Sequence, residues 1–390
     1  MNKLAISKEV DAYLREHLHE HPADFMLRSH PFPAISAQEL TQQLVGLQKA
    51  KNKFPFLFER QDILYPPKLN LEQTSSQTAA TYKAMLFPSG TMVDLTGGFG
   101  IDVCAFAKAG YQTTHIEYNA ELQPYAAHLL EVQGLDTQSI CMDGMKFIQQ
   151  TEKKYDLIFA DPSRKTEAKS KAVLLEDYEP NLVGQLDLIF NKTRRLMIKT
   201  SPMLDITAGL QQLPQTTQVH IVAIKNEVKE LLWILEPKTK RQPQIFCVNL
   251  QSDQSDFSAR WSQNNLLADY RSPQNYLYEP NAAIMKSQLF DALQERYLVY
   301  KLNRDSHFFT SNELIQFPGR CFEVVRVLEA KPKQIKKLYA GTSRAVVSRN
   351  FRMSVMDIRK KYKMGENEQE YLFFTEVAGM GAVVIEARKL

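Results

Sequence analysis

No stretch of this chain approaches the roughly 18 consecutive apolar residues that a membrane span needs. Its opening residues, MNKLAISKEVDAYLREHLHE, lack the apolar core of a secretory signal. A cytoplasmic protein without a membrane partner is therefore expected. Cysteine is scarce: Cys104, Cys141, Cys247 and Cys321 stand far apart, so no C-x-x-C zinc or redox spacing exists. The apolar neighbourhoods of Cys104 and Cys141 suggest core packing in a reducing compartment. The eight histidines form no H-E-x-x-H pair, so no structural metal is expected. No internal repeat or low-complexity tract stands out, and nothing in the sequence fixes the oligomeric state.

What is present is an ordinary globular composition, with 44% apolar residues over 390 positions, enough for two or three cores. Residues 1–70 read as a helical region: VDAYLREHL and SAQELTQQLVGLQKAKNKF repeat apolar residues at three- and four-residue spacing, and Pro66-Pro67 closes it. QTSSQTAATYKAML then offers Ser and Thr caps for a further helix. From Thr91 short apolar runs alternate with helical stretches, the mark of β-α-β units and a mostly parallel sheet.

Seven strands are expected, at 92–96, 113–118, 139–143, 156–161, 195–200, 218–224 and 245–250, the last two as an antiparallel edge. Helices are expected near 101–110, 121–134 and 144–152. This α/β unit covers residues 71–250. The polar run QSDQSDFSARWSQNN suggests a boundary or exposed hairpin. A linker and small α+β segment would fill 251–316, and a C-terminal α+β domain 317–390, with strands in CFEVVRVL, YLFFTEV and GAVVIEA and a basic helix near 354–363.

The central motif runs from Val93 through Asp94, Thr96, Gly97, Gly98 and Gly100 to Asp102, an apolar strand entering a glycine turn and then a helix. Such a turn lets the backbone approach a ligand at the carboxyl end of the sheet. Glu117 ends the next strand, about 20 residues beyond Gly97, where an acid would accept from both hydroxyls of a ribose. Asp143, after the third strand, suits an adenine amino group. Dinucleotide binding is the rival, but its third glycine would fall on Val103. S-adenosylmethionine has no pyrophosphate and needs no such glycine, so it is the expected cofactor.

After the fourth strand stands Asp161-Pro162-Ser163-Arg164. It resembles the Asp-Pro-Pro-aromatic tetrapeptide of class I enzymes that methylate exocyclic amines. The likeness implies that Asp161 and the Pro162 carbonyl accept from the target amine. Ser163 and Arg164 depart from the pattern, so Arg164 would stack on a base or hold a phosphate. Lys199, after the fifth strand, would steer an anionic substrate. Glu176, Asp177 and Glu179 cluster beside Pro180, where helix N-terminal placement alone could account for them. No cysteine nucleophile stands near Asp161.

Between Lys331 and Lys363 eleven Lys and Arg face a single acid, Asp357. That excess suggests a polyanion surface, with Arg359, Lys360 and Lys361 on phosphates and Tyr339, Phe351 and Tyr362 stacking on unpaired bases.

The chain resembles a family of bacterial class I methyltransferases with a ferredoxin-like segment and a C-terminal THUMP-like domain. The carrying stretches are Asp94 to Asp102, Asp161 to Arg164, KTSPMLD from Lys199, YLYEPNAAIMK from Tyr276, Gly319 to Val325 and Ser348 to Arg359. The resemblance implies a Rossmann-like catalytic domain and an RNA substrate, tRNA or rRNA. The leading expectation is methylation of a nucleobase, at an exocyclic amine, in structured RNA. A small-molecule methyltransferase, a DNA methyltransferase and a nonenzymatic RNA-binding protein with a retained cofactor fold remain as alternatives.

Overall fold

The computed structural model describes residues 2–164, 175–237, 242–262 and 269–390. They divide into two compact units, residues 1–217 with 231–240 and residues 218–230 with 241–390.

In the first unit, helix α1 (Ala37–Lys53) starts at a capping box in which Ser36 and Glu39 satisfy each other's backbone N–H. Helix α2 (Gln77–Ala84) starts at a Ser76 cap. Beyond it come β1 (Thr91–Asp94), α3 (Ile101–Lys108), β2 (Gln112–Glu117), α4 (Gln123–Val132), β3 (Thr137–Cys141), α5 (Gly144–Gln150), β4 (Leu157–Ala160) and β5 (Leu196–Thr200). The five strands are parallel, in the order β3-β2-β1-β4-β5. The order reverses at β1, and the glycine turn leaves the sheet there, at the switch point where open α/β sheets bind ligands. The N-terminal helices share one apolar core with α3 and α4: Leu40, Leu44 and Leu47 pack with Ile101, Val103, Cys104 and Leu129.

Strands β6 (Thr216–Ile224) and β7 (Glu227–Leu235) follow, and within the second unit residues 218–230 form a hairpin whose two turn residues, Lys225 and Asn226, both have positive φ, as in a type I′ turn. Residues 231–235 of β7 lie antiparallel to β5, from Thr200 opposite Leu231 to Leu196 opposite Leu235. In the second unit β6 runs parallel to β8 (Gln244–Leu250), and β9 (Phe257–Arg260) lies antiparallel on β8.

The expected antiparallel edge between 218–224 and 245–250 is therefore wrong: those strands are parallel, and the antiparallel strand is β7. Its residues Leu231 to Leu235 are fully buried, so it reads as a uniform apolar run without alternation. Its hairpin turn carries no glycine, which hid the reversal.

The second unit also holds a seven-stranded sheet. Its strands are β10 (Tyr276–Pro280), β11 (Tyr300–Lys301), β12 (Phe309–Ser311), β13 (Gly319–Glu329), β14 (Ala345–Ser348), β15 (Glu370–Val377) and β16 (Gly381–Lys389), in the order β11-β12-β10-β13-β16-β15-β14. Alternation divides its side chains: Phe373 and Ile385 join one apolar cluster, Leu372, Phe374 and Val384 another. Helices α6 (Pro332–Tyr339) and α7 (Val355–Tyr362) cover the second cluster with Ile335, Tyr339, Ile358 and Tyr362. Among the described residues no helix is long and apolar enough to cross a membrane.

Candidate functional site

The end of β1 is tied to the end of β4 through one hydroxyl. Thr96 donates from its N–H and its Oγ1 to Asp94 Oδ1 (2.9 and 3.2 Å), and the same Oγ1 accepts from the Asp161 N–H at 2.6 Å. Asp94 is buried, and desolvation pushes its carboxyl well above the usual range. The motif acid is thus a buried brace for the turn.

Beside it, Glu117 is also buried and nearly closes the turn. Its Oε2 accepts from the Gly98 N–H and its Oε1 from the Asn119 N–H, both at 2.8 Å. Each oxygen keeps a further lone-pair direction. Burial raises its pKa, with the two N–H bonds opposing. The turn needs glycine for specific reasons. A Cβ on Gly97 would lie 2.2 Å from His115 Nε2, and Gly98 and Gly100 have φ of +54° and +89°.

His115 is the functional neighbour that sequence reasoning missed. It is fully buried in β2, its Nε2 sits 3.3 Å from the Gly98 carbonyl and its Nδ1 3.0 Å from Ser139 Oγ. Desolvation lowers its pKa to about 4, so the ring is neutral. Its position two residues before Glu117, on the same face of β2, was the available signal.

Two expected cofactor residues also make bonds within the fold. Asp102 pairs with the fully buried Lys83 at 3.1 Å and accepts from Ser75 Oγ at 2.8 Å, joining α3 to α2. A helix points its second residue back over the preceding segment, which brings this acid to Lys83 and Ser75. Asp143 is exposed and caps α5, accepting from the Lys146 N–H at 2.8 Å. Gly144 behind it lets α5 approach β1, since a Cβ there would meet the Leu95 carbonyl at 2.3 Å.

Asp161 and Lys199 extend from the ends of the adjacent strands β4 and β5 and form an ion pair, both half-buried. Pro162 is buried and Ser163 exposed. Ser163–Arg164 pairs with Tyr178–Glu179 as a short antiparallel ribbon, while the Arg164 side chain lies outside the described residues. Glu176 and Asp177 lie in a single turn of 3-10 helix and Glu179 in that ribbon. Cys104 is buried as expected, but Cys141 is exposed because β3 is the sheet's edge. Among the described residues no His, Cys, Asp and Glu cluster could hold a metal ion.

In the second unit the basic block divides. Lys331, Arg344, Arg349 and Arg359 pair with Glu329, Glu370, Glu279 and Glu366, acids that lie outside the block in sequence. Lys333, Lys336, Lys337, Arg352, Lys360, Lys361 and Lys363 are exposed, with no ion pair among the described residues. The aromatic expectation fails: Tyr339 and Tyr362 are buried under α6 and α7, and Phe351 packs edge-on against Phe374. Their helix positions face the sheet because the opposite positions carry the lysines.

Residues 276–318 match a ferredoxin-like domain, and residues 319–389 a THUMP-like domain. A crystal structure of a proposed methyltransferase from Porphyromonas gingivalis W83 is 26% identical, with a TM-score of 0.89 over 100% of this chain and 99% of that one. The chain has the Rossmann-like methyltransferase fold with a C-terminal THUMP-like domain. Weaker likenesses include a SAM-dependent methyltransferase from Agrobacterium tumefaciens (19% identity, 42% of this chain, 61% of that one, TM-score 0.31). Another is the T. thermophilus 16S rRNA N2 G1207 methyltransferase in complex with AdoMet and guanosine (15%, 44%, 43%, 0.31). No curated protein matches.

Proposed function

We propose that this protein is an S-adenosylmethionine-dependent methyltransferase that modifies a nucleobase, at an exocyclic amine, in structured cytoplasmic RNA. The observation that carries the cofactor assignment is Glu117: a buried carboxylate pinned by two backbone N–H groups, with lone pairs left for a ribose diol, beside a turn that a Cβ would block. Asp94, Thr96, Gly97, Gly98 and Gly100 shape that turn, and Asp143 keeps one oxygen for an adenine amine.

The cofactor supplies an electrophilic methyl group on a sulfonium. The chain's part is positioning, which accounts for much of the rate in an in-line transfer. Asp161 would accept from the target amine and aim its lone pair, with the Pro162 carbonyl as second acceptor. Lys199 holds Asp161 in place through their ion pair. The exposed lysines of α6 and α7, with Arg352, would contact RNA phosphates, and base stacking would not contribute there. Residues 1–70, 71–250, 251–316 and 317–390 would serve as helical support, catalytic domain, connector and RNA-holding domain.

Calorimetry with S-adenosylmethionine and NAD, joined to mass spectrometry of modified nucleosides in RNA from a deletion strain, tests the reading. Binding of S-adenosylmethionine alone and the loss of one methylated nucleoside are expected. Preference for NAD would overturn the cofactor assignment, and an unchanged nucleoside profile the RNA substrate.

A further inference from the structure

The second unit has an open cavity of about 260 Å³ lined by Asn226, Gln254, Glu279, Asn281, Arg320 and Arg349. Nothing in the methyltransferase reading uses it. Its floor is Glu279, buried and fully engaged: Oε2 accepts from Arg320 Nε at 2.7 Å and Oε1 from an Arg349 terminal nitrogen at 2.5 Å. Two guanidiniums against one carboxylate leave a net positive charge, and each guanidinium keeps further N–H groups. Among the described residues the other Arg349 terminal nitrogen meets only the Met285 sulfur, at 4.0 Å.

The amides around this pair are polarised in the same sense. Asn281 is 2% exposed; its Oδ1 accepts from the Ile284 N–H, and its Nδ2 is buried with no hydrogen-bond partner. Buried donors of that kind are rare, because desolvation goes uncompensated. The Asn226 Oδ1 accepts from the Ala282 N–H and the Gln254 Oε1 from Asn249 Nδ2, so both side chains also have their NH2 groups to spare. The amide NH2 and guanidinium groups thus give the pocket an excess of donors, and Met285 supplies an apolar wall.

We infer that this cavity binds a nucleoside monophosphate, either free or as the terminal nucleotide of a single strand. The phosphate would take the guanidinium N–H groups, which suit planar bidentate recognition. The three amide NH2 groups would donate to the carbonyl and ring-nitrogen acceptors of the base. The volume lies just under the range usual for drug-sized ligands, which fits one nucleotide and no more.

The test is calorimetric titration of the full-length protein, saturated with S-adenosylhomocysteine to block the glycine turn, against CMP, cytidine and inorganic phosphate. CMP should bind at least tenfold more tightly than either fragment. Asn281→Ser and Arg349→Lys should each weaken it at least tenfold. Gln254→Ala, at a half-exposed position, should weaken it several-fold with an unchanged melting temperature, which separates lost binding from lost folding. CMP binding no better than phosphate, or full affinity in a folded Asn281→Ser or Gln254→Ala variant, overturns the site. Competition by a short single-stranded RNA would identify a strand terminus as the source, and its failure a free nucleotide. Loss of methyl transfer with CMP binding intact would count against the proposed activity and leave the cavity standing.

Discussion

The glycine turn of the first unit and the cationic helices of the second use opposite physics. At the turn the acids Asp94 and Glu117 are buried and the polar groups around them fixed: Thr96, Gly98 and Asn119 meet Asp94, Asp161 and Glu117 at 2.6 to 3.2 Å. On α6, α7 and the segments flanking them seven cations are exposed, with no ion pair among the described residues. A preorganised site selects by shape and loses function when one atom moves. A solvated charged face selects by number of charges, and each contributes little and is screened by salt.

Changes at the sheet ends should accordingly dominate. Asp161→Ala is expected to lower kcat at least ~100-fold with cofactor affinity nearly intact, because it removes the group that aims the nucleophile. Single-turnover methyl transfer on the RNA substrate measures this, and a near-normal rate would move the chemistry elsewhere.

The buried His115 gives a pH signature that the exposed face cannot. Its folded pKa of about 4 lies below the ordinary 6.5, so the unfolded chain takes up protons first. Stability is therefore whole above pH 6.5 and is lost as pH falls towards 4, by up to ~3 kcal/mol from this ring. Denaturant titrations of wild type and His115→Gln should diverge in that window. Parallel pH profiles would mean that the ring is not neutral in the fold. Asp94, its pKa raised by burial, acts with the opposite sign, so the difference between the two proteins is the informative quantity.

Glu117→Ala should weaken S-adenosylmethionine binding by about 1–3 kcal/mol, the usual cost of leaving polar groups unpaired. Wild-type affinity by calorimetry would remove the ribose assignment. The smallest single effects belong to the basic face. Lys336, Lys337, Lys360 and Lys361 changed together to alanine should weaken RNA binding alike across sequences and flatten the salt dependence by roughly 0.7 per lost phosphate contact. A steeper or unchanged slope would place the RNA on another surface.

Much of this could be read along the chain. The five parallel strands fall within about two residues of their expected positions, because β-α-β alternation and the glycine turn are local signals. Glu117 and Asp161 were legible for the same reason: the end of a strand is a sequence position. The cations were legible as a count, since charge is carried residue by residue.

Only the tertiary structure decided which of these groups are free. Asp102 looked like part of the turn, yet the fold spends it on Lys83, distant in sequence and fully buried. Arg344 and Arg349 looked available, and acids from other strands pair them. Tyr339 and Tyr362 lie in a basic stretch, and helical periodicity turns them inward. Strand β7 has no alternation to betray it, because both its faces are covered. Local propensity and spacing depend on neighbours in sequence, whereas pairing and burial depend on neighbours in space.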